Sequence, residues 1–399
     1  MEPASAGFVN TDMQAKNLAI LGSTGSIGRS TMDVLDRHPG AFQVRALAAH
    51  SDIDRLEKQY RKYLPEFLCV VDQTRGAELK DRLQEEKVTV LIGEDELLRV
   101  PALDEIDIVL NAVVGAAGLR ASLQTVKHGR RLALANKESL VVGGPLFPDL
   151  CEKHNASIFP IDSEHSAIWQ VLRRAHHNEL KKIILTSSGG PFRNLPADKF
   201  ETITVEQALN HPTWDMGPKI TIDSATMANK GLEVIEAVWL FSVSVDQIEV
   251  IVHPESIVHS MVEFMDSSIL AQMSLPDMRL PITHALFWPD RVESEFGHLD
   301  WREVSSLSFE PPNLEKFRAL KLAFDAAAAG GTAPAIYNAA NEIAVQSFLE
   351  KQVKFNDIGS IIEDALNSVE IENKPDLESI LAADDSARAR ARRLMEKLT

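Results

Sequence analysis

Residues 17–35 read NLAILGSTGSIGRSTMDVL. The apolar run Asn17–Leu21 has the length of a strand. A helical pattern opens at Ser26, with Ile27, Thr31, Val34 and Leu35 on one face. Between the two lies Gly22-Ser-Thr-Gly25-Ser-Ile-Gly28. A glycine turn between strand and helix lets the backbone approach a pyrophosphate, and the free N–H groups at the helix start favour an anion. The spacing is G-x-x-G-x-x-G rather than G-x-G-x-x-G, so the strand–turn–helix context carries the assignment together with the glycines.

Outward from this turn the same alternation continues. Strands are expected at Phe42–Ala48, Phe67–Val71, Val88–Ile92, Ile106–Asn111 and Arg131–Ala135, and helices at Ile53–Tyr63, Gly76–Glu86 and Leu119–His128. Strand alternating with helix predicts parallel strands joined by crossover helices, a Rossmann-like domain over residues 17–161. The middle third differs. Lys181–Thr186, Glu249–His253, Val258–Phe264 and Ile269–Ser274 are strand-like but unevenly spaced, which predicts an α+β unit over 162–288, with a Pro-, Gly- and Trp-rich loop at 209–218. A proline-broken connector, 289–313, leads to four helical stretches over 314–399, a small α-helical bundle.

Composition narrows the classes. The 399 residues hold 41 Lys+Arg against 58 Asp+Glu, a formal net charge of −17, which argues against nucleic acid as the main partner. No stretch approaches the roughly 20 apolar residues of a membrane span. The most apolar window, Ile108–Leu119, is broken by Asn111. Residues 1–16 are polar, carry Glu2 and Asp12, and read as a flexible extension rather than a signal or transit peptide. Two cysteines, Cys69 and Cys151, give no disulfide framework and fit a reducing cytoplasm.

Five stretches carry chemistry. After the second strand the chain reads Ala48-Ala49-His50-Ser51-Asp52. His50 and Ser51, helped by Arg29 or Arg55, suit the extra phosphate of NADP, whereas Asp52 opposes it. Ile161-Asp162-Ser163-Glu164-His165, if extended, turns both carboxylates to one side, an arrangement for a hard divalent cation such as Mg²⁺ or Mn²⁺. Alone, such a pair more often marks a solvated turn. Asp223-Ser-Ala-Thr-Met-Ala-Asn229-Lys230-Gly-Leu-Glu233-Val-Ile-Glu236 reads as a helix from about Ser224. Asn229, Lys230 and Glu233 then share a face, and Ser224 offers its hydroxyl at the helix start to a phosphate. Thr186-Ser-Ser188-Gly-Gly-Pro-Phe192 can fold its amides into an anion nest. His211-Pro-Thr-Trp214-Asp-Met216-Gly-Pro218 is either a lid or a loop whose Trp packs on a neighbour. His165, His253 and His259 complete the set. Nothing resembles a nucleophile elbow, and no cysteine is placed for zinc.

These motifs together resemble the 1-deoxy-D-xylulose 5-phosphate reductoisomerases. LGSTGSIGRSTMDVL, LANKESLV, IDSEHSAI, SSGGPFR, HPTWDMGPKITIDSATMANKGLEVIEA, HPESIVHSMVE and NAANEIAVQSFL occur in family order from Asn17 onward. The resemblance implies a three-part fold and a homodimer. It implies NADPH on Gly22, Thr24, Gly25, Ser26, Ile27 and Gly28, assisted by Asn136, Lys137 and Glu138, with His50 and Ser51 nearby. Asp162, Glu164 and Glu233 become ligands of a divalent cation (Mn²⁺, Mg²⁺ or Co²⁺). Ser163, Ser188, Ser224, Asn229 and Lys230 face a phosphorylated sugar, His211 closes with the flap, Trp214 and Met216 cover the substrate, and His165 and His259 stand around the active site. The implied reaction is rearrangement and reduction of 1-deoxy-D-xylulose 5-phosphate to 2-C-methyl-D-erythritol 4-phosphate, in isoprenoid synthesis by the non-mevalonate route. One departure stands out: the family often has a Gly-Lys-Asn-like turn where this chain has His50-Ser51-Asp52. The rival readings are a metal-assisted NADPH reductase of another phosphorylated ketose and a non-catalytic nucleotide sensor. The intact phosphate motifs weigh against the first and the three retained carboxylates against the second.

Overall fold

The computed structural model describes residues 15–173, 175–212, 214 and 216–398. The expected N-terminal extension therefore lies outside the described residues up to residue 14, and Lys16 already belongs to the first strand. Seven strands, β1 (Lys16–Leu21), β2 (Phe42–Ala49), β3 (Phe67–Val70), β4 (Thr89–Ile92), β5 (Ile108–Asn111), β6 (Arg131–Leu134) and β7 (Ser157–Pro160), pair in the order β4-β3-β2-β1-β5-β6-β7. Every pairing is parallel. Leu18 to Leu21 are wholly buried, as expected of a strand covered on both faces. The helices α1 (Ser26–Arg37), α2 (Ile53–Tyr63), α3 (Gln73–Arg82), α4 (Glu94–Arg99), α5 (Leu119–Lys127), α6 (Lys137–Gly143) and α7 (Phe147–His154) supply the cover. The strand order reverses between β1 and β5, and the glycine turn leaves β1 at that switch point, where sheets of this kind bind ligands.

Local chemistry accounts for the shifted boundaries. α3 begins at Gln73 rather than Gly76 because the Asp72 carboxylate caps it, accepting from the Arg75 N–H at 2.8 Å. α6 had no periodic signal: its sequence, KESLVVG, is buried on every side, so no polar face marks the turns.

The second unit holds α8 (Ser163–Leu172), β8 (Leu180–Ser187), α9 (Val205–Ala208), α10 (Pro218–Ala225), α11 (Ala228–Phe241), β9 (Ile248–Val252), β10 (Val258–Phe264), β11 (Ile269–Met273) and α12 (Arg279–Phe287). Its sheet runs β11-β10-β8-β9, with β10 antiparallel to both neighbours and β8 parallel to β9. α12 returns to the first unit: Ile282, Leu286 and Phe287 join the core of β1, β2 and α1. The bundle is α13 (Arg318–Ala329), α14 (Ala333–Leu349), α15 (Asp357–Ser368) and α16 (Leu377–Leu398).

One continuous core runs from β8 and β9 through α11 into α13, α14 and α15. Gly231, in the middle of α11, is what lets α13 approach: a Cβ there would lie 2.5 Å from the Ala323 Cβ. The bundle thereby buttresses the helix that carries Asn229, Lys230 and Glu233. Among the described residues no helix is long and apolar enough to cross a membrane.

Candidate functional site

A cleft of about 200 Å³ is lined by Ser26 and Ile27 of the glycine turn together with Ser188, Trp214 and Met216. Its floor carries Asp162, Glu164 and Glu233, whose carboxylate oxygens lie within 4.8 Å of one another. The route by which they meet corrects the extended reading. Asp162 caps α8 and Glu164 stands in its first turn, with the Glu164 N–H donating to Asp162 Oδ1 at 3.3 Å. The helix start, rather than a pleat, turns both acids inward.

The expected helix from Ser224 to Glu236 is two helices. α10 ends at Ala225, Met227 takes a left-handed φ of 59°, and α11 begins at Ala228. Ser224 therefore stands in the last turn of α10, so no helix start lies behind its hydroxyl. The face carrying Asn229, Lys230 and Glu233 is as expected: Asn229 Nδ2 donates to Glu233 Oε1 at 2.6 Å, and the Lys230 ammonium bonds both Glu233 and, at 2.6 Å, Glu164.

Lys137, which the resemblance groups with the cofactor residues, lines the same cleft as Ser26 and Ile27 and reaches its floor. Its ammonium lies 2.8 Å from Asp162 Oδ2, 3.2 Å from Glu233 Oε1 and 2.6 Å from Asn229 Oδ1. Two ammoniums thus hold three acids in a buried floor. Burial works against the Asp162 anion, but Lys137 and His165 outweigh it and hold its carboxyl well below the usual range. Glu233 goes the other way: burial, then Asp162 and Glu164, push its carboxyl up. A cluster of hard oxygen donors with excess negative charge fits a divalent cation, whose charge would relieve this crowding.

His165 is fully buried behind the floor rather than in the cleft. Its Nε2 donates to the Glu233 carbonyl at 3.0 Å, and its Nδ1 lies 3.4 Å from both Asp162 Oδ1 and Glu236 Oε2. Burial opposes its charge, yet Glu236 and Asp162 prevail and raise it to about 9, while burial lifts the Glu236 carboxyl to about 8. Glu236 is a residue that sequence reasoning left without a role. Its signal was there, in a second acid three residues after Glu233 on the same helix.

Around the other end, His211 ties the flap to two serines. His211 Nδ1 accepts from the Trp214 N–H at 3.0 Å, so the proton sits on Nε2, which lies 3.3 Å from Ser188 Oγ and 3.1 Å from Ser224 Oγ. Thr213 and Asp215 of the expected flap lie outside the described residues. His259 is buried on the cleft wall, and burial lowers its imidazole. Ser163 borders the same space and bonds Glu164.

At the glycine turn, Gly22 has φ 81°, and a Cβ there would lie 2.5 Å from the Ala112 carbonyl oxygen. Only glycine brings β1 and the β5 loop this close. Gly25 caps α1 without any side-chain bond, leaving the first N–H groups open to an anion, and Thr24, Ser26 and Gly28 complete the turn. Gln59 of α2, unforeseen, holds the loop: its amide donates to the Ser23 carbonyl and accepts from the Ser23 hydroxyl, both at 2.8 Å. This cradle fits a dinucleotide. His50 and Ser51 are exposed beside it. Asn136 caps α6 and braces the loop after β5, donating to the carbonyls of Val113 (2.7 Å) and Gly115 (2.8 Å). Glu138 is engaged by Lys219 at 2.8 Å and Asn136 at 3.0 Å. Lys219 also reaches Asp223 at 2.8 Å, and Asp223 accepts from Asn341 of α14 at 2.8 Å.

Three family models match successive parts of the chain: 1-deoxy-D-xylulose 5-phosphate reductoisomerase at residues 18–144, the 1-deoxy-D-xylulose 5-phosphate reductoisomerase C-terminal domain at 158–241, and the DXP reductoisomerase C-terminal domain at 273–390. The 1-deoxy-D-xylulose 5-phosphate reductoisomerase of Chlorobaculum tepidum is 50% identical over 380 residues, 95% of this chain and 100% of that one. That of Bacteroides fragilis is 45% identical over 97% of this chain and 100% of its own. Among solved structures, a DOX-P reductoisomerase in complex with NADPH, fosmidomycin and magnesium is similar at 40% identity and TM-score 0.92, covering 96% of this chain and 99% of that one. The Zymomonas mobilis enzyme in complex with NADPH is similar at 42% identity and TM-score 0.91, covering 96% and 100%.

Proposed function

The chain belongs to the 1-deoxy-D-xylulose 5-phosphate reductoisomerase family, and from that premise we propose how its cleft carries out the family's reaction. The enzyme rearranges 1-deoxy-D-xylulose 5-phosphate and reduces the product to 2-C-methyl-D-erythritol 4-phosphate, using NADPH and a divalent cation. The observation that carries this assignment to residues is the convergence of Asp162, Glu164 and Glu233 on one floor, at the end of a cleft that opens onto the glycine turn.

Asp162, Glu164 and Glu233 would hold the cation. Bound there, it supplies Lewis-acid polarisation of the substrate's carbonyl and hydroxyl oxygens, and NADPH supplies the two electrons and hydrogen of the reduction. The ammoniums of Lys230 and Lys137 stand among these carboxylates and would present fixed positive charge to substrate oxygens, favouring the anionic character of the rearranging sugar. Ser188, Ser224 and Asn229 grip the phosphate, remote from the reacting carbons. His211 transmits that grip to the flap, since one imidazole bonds both serines and the Trp214 N–H. Phosphate binding then drives Trp214 and Met216 over the cleft and excludes water. His165 orients Asp162 from behind, and His259 walls the cleft.

We assign a homodimer to the free edge of the second sheet. β11 is an edge strand, and Ile269 (51% exposed), Leu270 (52%) and Met265 (65%) stand open beside it. Sedimentation of Leu270→Lys should yield monomer, and an unchanged dimer would move the interface elsewhere. Two unpaired cysteines, Cys69 and Cys151, support a reducing compartment, the cytoplasm, which cell fractionation checks.

The decisive assay follows NADPH oxidation with 1-deoxy-D-xylulose 5-phosphate, with and without Mn²⁺ or Mg²⁺. Turnover should require substrate and metal together. Folded, metal-loaded protein that turns over only a different phosphorylated ketose would overturn the substrate assignment.

A further inference from the structure

The family's usual lysine after the second strand is missing here, and the structure shows what stands in that space. Asp52, the acid that would oppose a 2′-phosphate, is not turned to a ligand. Its Oδ1 accepts from the Arg55 N–H at 3.1 Å and caps α2, and its Oδ2 lies 3.7 Å from Arg55 Nε. Arg55 in turn donates to the Thr24 carbonyl at 3.1 Å and is committed to the glycine turn. Arg29 donates to the Gly25 carbonyl at 3.4 Å. A further cation comes from the next crossover. Arg75, in the first turn of α3, reaches back to the Ser51 carbonyl with its Nε at 3.4 Å, and its side chain is 36% exposed.

We propose that Arg75 is the residue that selects NADPH over NADH, its guanidinium taking the 2′-phosphate beside His50 and Ser51. This deepens the functional reading above and rests on it. A planar fork of N–H donors suits a phosphate better than the absent lysine would. Arg75 at present bonds Glu78 and lies 3.8 Å from Asp54. Releasing it leaves neither acid bare, because Arg82 also bonds Glu78 and lies 2.7 Å from Asp54. Exposed pairs of this kind hold weakly, so a doubly charged phosphate outcompetes them.

The test compares 2′,5′-ADP with 5′-AMP as ligands of the full chain by calorimetry, alongside KM for NADPH and NADH. In Arg75→Met, affinity for 2′,5′-ADP should fall about 10- to 100-fold while 5′-AMP binds unchanged. KM for NADPH should rise in step, with KM for NADH and kcat held. Arg75→Lys should recover part of the difference, and Arg82→Met should leave the discrimination intact. An Arg75→Met protein that still prefers 2′,5′-ADP as the parent does would overturn the proposal. A parent chain with no preference for 2′,5′-ADP would overturn both this proposal and the NADPH assignment. A parent that discriminates but does not turn over 1-deoxy-D-xylulose 5-phosphate would remove the substrate assignment alone.

Discussion

Two buried charge clusters start from consecutive residues of α6 and end in opposite states. Lys137 enters the cleft floor, where Asp162, Glu164 and Glu233 crowd two ammoniums. Glu138 enters the root of the flap, where Lys219 joins Glu138 and Asp223 and two asparagine amides occupy their remaining oxygens. The first cluster is open to the cleft and carries more acid than it can neutralise. The second is closed, with all four carboxylate oxygens partnered. Crowded charge is what a cation and substrate can exploit, whereas satisfied charge resists any change and so fastens parts together.

The sharpest way to break this contrast is Glu233→Gln. Removing one acid from the crowded floor should cut turnover about 1000-fold or more. Thermal stability should stay near that of the parent, because the lost charge was disfavoured by burial and by its neighbours. A variant with near-parental turnover would take Glu233 out of the cation site. The closed cluster should answer in the other currency. Lys219→Met strands two buried carboxylates and should cost about 2–4 kcal/mol in urea unfolding, discounted from a fully buried pair because the lysine is 21% exposed. A somewhat smaller loss, about 1.5–3 kcal/mol, is expected for Asn341→Ala, which removes one donor from the buried Asp223 carboxylate. Additivity of these two changes would show that the cluster is not a unit.

The smallest effect concerns pH. Burial opposes the Glu138 charge, but Lys219 outweighs it and holds the carboxyl below its ordinary 4.5. Below that pH the unfolded chain takes up the proton first, so the stability contributed by Glu138 is present above 4.5 and drains as pH falls. Glu138→Gln should flatten the acid limb of a Tm-against-pH curve, and an unchanged slope would show that Glu138 is not held ionised by Lys219.

Legibility followed contiguity. The glycine turn and α1 could be read from one stretch because strand, turn and helix are neighbours in the chain. Asn229, Lys230 and Glu233 could be grouped because a helix repeats at fixed spacing. Asp162 and Glu164 are legible as a converging pair but not by their backbone, since two inward acids arise from a pleat or from a helix start alike. Ser224 reads as a helix start because nothing in Ala225-Thr-Met227 announces a break; the left-handed turn falls at Met227, which is buried in the continuous core. Lys137, Gln59 and Glu236 needed tertiary contacts, as each meets its partner across 36 to 96 residues or through a second element. Arg75 lies beyond even a motif, because it meets the cofactor side through a contact with Ser51 from the following crossover.

The adjacency of Lys137 and Glu138 has a mechanical consequence. Consecutive side chains leave a helix about 100° apart around its axis. A rod pinned at one point can still swivel, but pins at two azimuths remove both swivel and slide. α6 is therefore anchored on two sides, and a rotation of it would strain the cleft floor and the flap root in the same stroke.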